Sequence, residues 1–334
     1  MKPAPPWMRR AASMYERLRG YPAKPVRAFV LGGGGGKGAC QIGMLRALAE
    51  AGIRPDLVVG VSIGALNGTV FATDPTLEAV ETLESVWREI GESAVIPNQR
   101  VSSAWRYVRR SGAAFPAKPV LDFIRSKLAI DDLSETAIPM HVLLTDAHTG
   151  AERWFSSGPA VEILYGSSAL PGVYPPVSIG GDLFVDGGVV DDAPARRAHE
   201  LGATEIYLLL CGTLYADLTE YRRPVETLIR SFYLTKLSQI RTALASIPDT
   251  VAVKVIECPA ASRIDTMDFS HAAELIDDGY ESARLLLAAE ERGSRQLSPW
   301  APAAVAVPEG VPAGVARTHG WRRRHPAATA TTRR

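Results

Sequence analysis

A serine bracketed by glycines, Gly60-Val61-Ser62-Ile63-Gly64, is the first group in this chain whose type and setting could do chemistry. G-x-S-x-G places a serine on a sharp strand-to-helix turn with its hydroxyl exposed, and glycine at 60 and 64 removes side chains that would meet the neighbouring backbone. A serine hydroxyl is a weak nucleophile at neutral pH and needs an adjacent base. The six histidines, His141, His148, His199, His271, His319 and His325, include none whose setting singles it out. A carboxylate does stand out. In "GGDLFVDGGVVDDAP" (180–194), Asp186 lies between a strand and Gly187-Gly188, so it would project from a turn. Asp-Gly is also among the commonest hairpin dipeptides, and taken alone a hairpin is the simpler account.

Upstream, "VLGGGGGKGACQIGML" (30–45) sets five consecutive glycines between a strand and a helix. A phosphate-binding loop needs Ser or Thr after its Gly-Lys, whereas Gly38 follows Gly36-Lys37 and Leu31 stands where the first glycine belongs. A dinucleotide fingerprint is met literally by Gly33, Gly35 and Gly38, but the second strand ends in "GVSIG", without the acidic residue that would hold a ribose; Asp56 lies at that strand's beginning. The remaining possibility is an oxyanion hole, in which bare backbone N–H groups at a helix N-terminus point at developing negative charge.

The elements that must position these groups alternate along the chain. Apolar runs at 26–31, 56–62, 140–147, 205–211 and 251–257 have the length and composition of buried strands. Helical stretches fall at 39–52, 64–90 with a break at Pro75, 159–168, 193–202, 224–243 and 268–290. This alternation predicts an α/β fold with a mostly parallel sheet covered by helices on both faces. No internal repeat is visible.

The 334 residues, 46% hydrophobic, suffice for a sizeable core. Cys40, Cys211 and Cys258 match neither a disulfide framework nor a zinc pattern, which favours a reducing compartment. The N-terminus lacks a secretory apolar run and no stretch reaches transmembrane length, so a cytoplasmic location is expected. Charge is unevenly placed. Residues 1–25 hold six Lys/Arg and one Glu, residues 294–334 hold seven Arg and one Glu, and the body between them holds 24 basic and 34 acidic residues, a net of −10. Three parts follow: a basic N-terminal arm (1–25), a core domain (26–293) and a Pro/Ala/Arg-rich disordered tail (294–334). Basic arms could dock an acidic body peripherally on anionic lipid at the inner membrane face, or they could be solvated tails.

These motifs, taken together, resemble the patatin-like phospholipases, whose members carry a glycine-rich oxyanion loop, a G-x-S-x-G serine and a D-G-G or D-G-A aspartate in that chain order. Here they are Gly33-Gly34-Gly35-Gly36-Lys37-Gly38, Ser62 and Asp186-Gly187-Gly188. "TDAHTG" (145–150), "SSALPGVYPPV" (167–177) and "DFSHAAELIDDGYESARLLL" (268–287) are similar to the family as well, and the likeness runs from about Val26 to Leu287. One departure is Asp192, where related sequences often have Asn, which adds negative charge near the expected site.

The resemblance implies a three-layer α/β/α sandwich and a Ser62–Asp186 dyad acting through an acyl-enzyme, with no metal and no cofactor. The oxyanion hole would be formed by Gly33, Gly34, Gly35, Lys37 and Gly38, with Gly34 and Gly35 as backbone donors. The elbow would comprise Gly60, Ile63 and Gly64. Lipid or ester substrates are expected, with peripheral membrane association and no nucleic-acid partner. "AWRYVRRSGAAF" (104–115) could cap an acyl pocket with Trp105, Tyr107 and Phe115 and meet phosphates with Arg106, Arg109 and Arg110, or it could be an ordinary amphipathic helix. Two other classes stay open: a nucleotide-binding Rossmann-like protein, and a non-catalytic lipid-binding protein on the same scaffold.

Overall fold

The computed structural model of the chain describes residues 25–92, 113–214 and 224–292. The tail, the arm apart from Pro25, and residues 104–112 of the expected cap lie outside the described residues. In chain order the elements begin with β1 (Arg27–Leu31), α1 (Ala39–Glu50), β2 (Leu57–Val61), α2 (Ile63–Thr73), α3 (Leu77–Glu92), α4 (Lys118–Lys127), β3 (Met140–Asp146) and β4 (Glu152–Phe155). They continue with α5 (Ala160–Ser167), β5 (Val177–Ile179), β6 (Asp182–Asp186), α6 (Ala195–Glu200), β7 (Glu205–Leu209), α7 (Pro224–Ala245), β8 (Ala252–Ile256) and α8 (Ala272–Glu291).

Successive strand residues point to opposite faces, and here both faces are dry. Phe29 and Leu31 of β1, Val58 of β2 and Tyr207 and Leu209 of β7 pack into one core with α1, α2, α3, α5 and α8. Their neighbours Ala28, Val30, Leu57, Val59, Ile206 and Leu208 pack into a second core with α6 and α7. Helices on both faces of one sheet make the expected α/β/α sandwich, and the continuous apolar runs of the central strands follow from burial on both sides.

Five strands, in the order β3-β2-β1-β7-β8, are parallel. The sheet then departs from the simple alternating pattern: β4, β5 and β6 extend it antiparallel. β4 and β5 are short, partly exposed and of mixed composition, so no apolar run announced them.

The register around β3 decides where the site forms. Leu143 pairs with Val61 of β2 on one edge and Trp154 of β4 on the other. Leu144 pairs with Arg153 of β4 on one edge and Asp186 of β6 on the other. β2 and β6 therefore share one edge of β3, meeting end to end, and the last residue of β6 abuts the residue that follows β2.

Candidate active site

Ser62 is that following residue. Its backbone lies at φ 54° and ψ −127°, and it is the sole non-glycine residue with positive φ among those described. A non-glycine residue held there stores about 1–3 kcal/mol of strain and persists only where the surroundings over-determine it. Two contacts do so. The Ser62 N–H donates to Ser167 Oγ at 2.9 Å, and the fully buried Ser167 donates in turn to the Leu143 carbonyl at 2.8 Å, where the β2 ladder ends. A Cβ on Gly64 would collide with the carbonyl oxygens of Leu31 and Gly32, so only glycine lets the elbow press against the glycine loop.

Across the strand junction, the Ser62 hydroxyl donates to Asp186 Oδ2 at 2.8 Å. Asp186 is buried; its second oxygen accepts the Gly188 N–H at 2.7 Å, and its backbone is tied to Ala169 and Thr145. Burial raises its carboxyl pKa to about 6, against the nearby Lys236 charge and the Gly188 and Ser62 hydrogen bonds, which lower it, while Asp192 adds to the rise. A raised carboxylate is a better proton acceptor near neutral pH than an exposed one. The described histidines form no hydrogen bond with either residue.

The glycine loop lies beside the same point, where a Cβ on Gly33 would sit 3.5 Å from Ser62 Cβ. The N–H groups of Gly32, Gly33 and Gly36 donate to the carbonyls of Leu209, Asp192 and Thr266 at 3.1, 2.9 and 2.8 Å. Gly33, placed in the loop but not as one of its two donors, is thereby committed to the Asp192 carbonyl. Gly34 and Gly35 donate no backbone hydrogen bond among the described residues. Gly35 has φ 58°, and a Cβ there would strike the Thr266 carbonyl, so the sharp bend demands glycine. Lys37 donates its backbone N–H to Gly34; its half-buried ammonium is pushed to lower pKa by burial, against the pull of Cys211, Asp265 and Asp192. Gly38 packs on Ile63, joining the loop to the elbow.

Neutral side chains that carried no motif hold this loop. Trp87 Nε1 donates to Asn67 Oδ1 at 3.0 Å, and Asn67 Nδ2 donates to the Gly38 carbonyl at 3.0 Å and to Gln41 Oε1 at 2.9 Å. Gln41 Nε2 closes the chain on the Gly32 carbonyl at 2.8 Å. The available signal was a polar residue inside each of two apolar helices, "ACQIGML" and "IGALNG". Such a residue, once buried, must find partners.

Beside Ile63, side chains of α2, α3, α4 and α5, among them Leu66, Val70, Trp87, Ile124 and Leu164, line an apolar cavity of about 80 Å³. Phe115, the one aromatic of the 104–115 stretch among the described residues, packs against Tyr174 with ring centroids 6.1 Å apart. Asp56 binds the Arg27 N–H at the start of β2, at the opposite end of that strand from Ser62, where no ribose of a nucleotide at the glycine loop could meet it.

A sequence profile described as "Patatin-like phospholipase" matches residues 29–199, which spans the glycine loop, Ser62 and Asp186. The chain therefore belongs to the patatin-like phospholipase family. Among curated relatives it is 28% identical over 282 residues to "Patatin-like phospholipase domain-containing protein 7" of Rattus norvegicus, covering 76% of this chain and 20% of the relative. It is 31% identical over 202 residues to "Neuropathy target esterase sws" of Drosophila melanogaster, covering 58% of this chain and 13% of that one. To "Lysophospholipase NTE1" of Mycosarcoma maydis it is 32% identical over 192 residues, with 56% and 10% covered. The chain thus spans about a fifth or less of the length of these relatives.

Proposed function

We propose that this chain is a lipid acyl hydrolase that cleaves a carboxylic ester through an acyl-enzyme on Ser62, with Asp186 as the base. The observation that carries the proposal is the 2.8 Å contact between Ser62 Oγ and Asp186 Oδ2 on a strained turn packed against the glycine loop, in which Gly34 and Gly35 donate no backbone hydrogen bond among the described residues. Asp186 takes the hydroxyl proton as Oγ attacks the ester carbonyl carbon. The oxyanion that forms receives the N–H groups of Gly34 and Gly35, each donor lowering the barrier by on the order of 3 kcal/mol. Collapse breaks the bond to the alcohol, which leaves with the proton returned by Asp186. Water, deprotonated by Asp186, then attacks the acyl carbon, and the acid departs as Ser62 regains its proton.

The substrate class is a phospholipid or lysophospholipid. The family and the esterase and lysophospholipase names of two relatives support it. No helix among the described residues is long and apolar enough to cross a membrane. Peripheral docking through the basic arm belongs to the same proposal; vesicle flotation with and without residues 1–25 across a salt series tests it.

A fluorophosphonate probe tests the central claim. Wild type should be labelled stoichiometrically and Ser62→Ala not at all, with hydrolysis of a lysophospholipid and of a p-nitrophenyl ester falling at least about 10³-fold in the folded variant. Equal labelling or retained turnover in Ser62→Ala would overturn it.

A further inference from the structure

Three charges meet behind the Ser62–Asp186 contact. Lys236 on α7 reaches across to Asp192, with Nζ 2.8 Å from Oδ1 and both side chains 18% exposed. Asp192 belongs to the turn after Asp186, and its backbone carbonyl is the acceptor for the Gly33 N–H. Its carboxylate lies in the gap between the two glycine segments. A Cβ on Gly33 would strike Asp192 Oδ1 and sit 3.5 Å from Ser62 Cβ. A Cβ on Gly188 would sit 2.5 Å from Asp192 Oδ1, 3.1 Å from Asp186 Oδ1 and 3.2 Å from Lys236 Nζ. The ammonium is therefore no more than about 6 Å from the Asp186 carboxylate, close enough for an opposite charge to move a carboxyl's proton affinity.

We infer that Lys236 and Asp192 are a matched pair of positioning residues that holds Asp186 ionised beside Ser62, Lys236 supplying the field and Asp192 fixing the ammonium and moderating it. The inference rests on the ester-hydrolase proposal for Ser62 and Asp186. Its physical need is plain: a carboxylate removed from water is driven toward its neutral form, which cannot accept the serine proton. A bare lysine would overcorrect and make the carboxylate a poor base; an ammonium already bonded to Asp192 exerts a reduced field. The groups facing Asp186 are Lys236 from α7, Asp192 and the Gly188 N–H from its own turn, and the Ser62 hydroxyl from the elbow. Asp191, next in the same turn, has its carboxyl raised to about 6 by burial, and its charged neighbours are Glu152, Asp192 and Arg196. Lys236 carries its charge throughout, since the two aspartates outweigh its burial and raise its pKa.

The test is the pH profile of kcat/KM for p-nitrophenyl ester hydrolysis by the full chain, in wild type, Lys236→Met, Lys236→Arg, Asp192→Asn and Lys236→Met/Asp192→Asn. Lys236→Met should move the acidic limb upward by about one pH unit, lowering activity at pH 6 about fivefold and sparing most of it at pH 8.5. Asp192→Asn should move the limb the other way, Lys236→Arg should keep it, and the double variant should bring it back between the single ones. Asp191→Asn is the control and should leave the limb in place. A loss in Lys236→Met that is uniform across pH overturns the inference. If Lys236→Met does not fold, Asp192→Asn decides, and an unmoved limb there overturns it equally. The two proposals fail separately: wild-type hydrolysis that survives Ser62→Ala defeats the dyad, whereas Ser62-dependent hydrolysis with unmoved limbs defeats only the charge pair.

Discussion

Two glycine segments flank the Ser62 hydroxyl, and they are held by different physics. The 32–38 loop is braced by neutral amides and an indole, Gln41, Asn67 and Trp87, each hydrogen-bonded and buried. The 187–188 turn is braced by ions, Asp186, Asp192 and Lys236. Donors for an oxyanion need a fixed geometry that titration does not disturb, and neutral groups supply it. A base needs a tuned proton affinity, and only charges and burial supply that. The contrast assigns pH dependence to one side of the site and rigidity to the other.

The largest effect should come from the neutral side. Gly35→Ala places a methyl group against the Thr266 carbonyl at a left-handed backbone position, and turnover of the p-nitrophenyl ester should fall about 10²–10³-fold with KM little changed. A rise in KM at constant kcat would show that the loop binds a ground-state ligand instead.

Asn67→Leu should come next. It strips partners from Trp87 Nε1, Gln41 Oε1 and the Gly38 carbonyl, and should cost about 2–3 kcal/mol by denaturant unfolding, equally at pH 5 and pH 8. A loss that varied with pH would break the contrast.

Asp186→Asn sharpens the charged side. The native carboxyl titrates near 6 against an ordinary value of 3.8, so the folded state binds that proton more tightly than the unfolded chain does. Wild type therefore loses stability as pH rises from about 4 to 6, by on the order of 3 kcal/mol, and the penalty is fully present above that window. The inactive Asn variant should melt higher than wild type at pH 7.5, with the difference shrinking toward pH 4. A constant difference would mean that the carboxylate is not strained by burial.

The sequence made legible what repetition or motif marks. The five parallel strands were readable because burial on both faces leaves unbroken apolar runs, as in "VRAFVL" and "EIYLLLC". Ser62, Asp186 and the loop glycines were readable because steric demand at tight turns restricts residue type. β4 and β5 were not, since short half-exposed strands carry no periodicity of their own. Nor were Gln41, Asn67, Ser167 and Lys236, whose significance lies in partners distant along the chain: Lys236 meets Asp192 over a separation of 44 residues and Ser167 meets Ser62 over 105. The glycine loop shows the same limit. A motif names the loop, but which N–H groups face outward depends on carbonyls contributed by other segments.

The shared edge of β3 also orders the birth of the site in time. A chain that has emerged only as far as β3 contains the glycine and serine segments but neither the carbonyls of Asp192, Leu209 and Thr266 that pin the loop nor the base on β6. Ser62 and Asp186 are 124 residues apart, and such non-local pairing is slow to form. The last pieces, Lys236 on α7 and Thr266 beneath the loop, arrive later still. By the chemistry proposed above, Ser62 has no base until β6 is made, and the charged half of the site is complete only when α7 has been added.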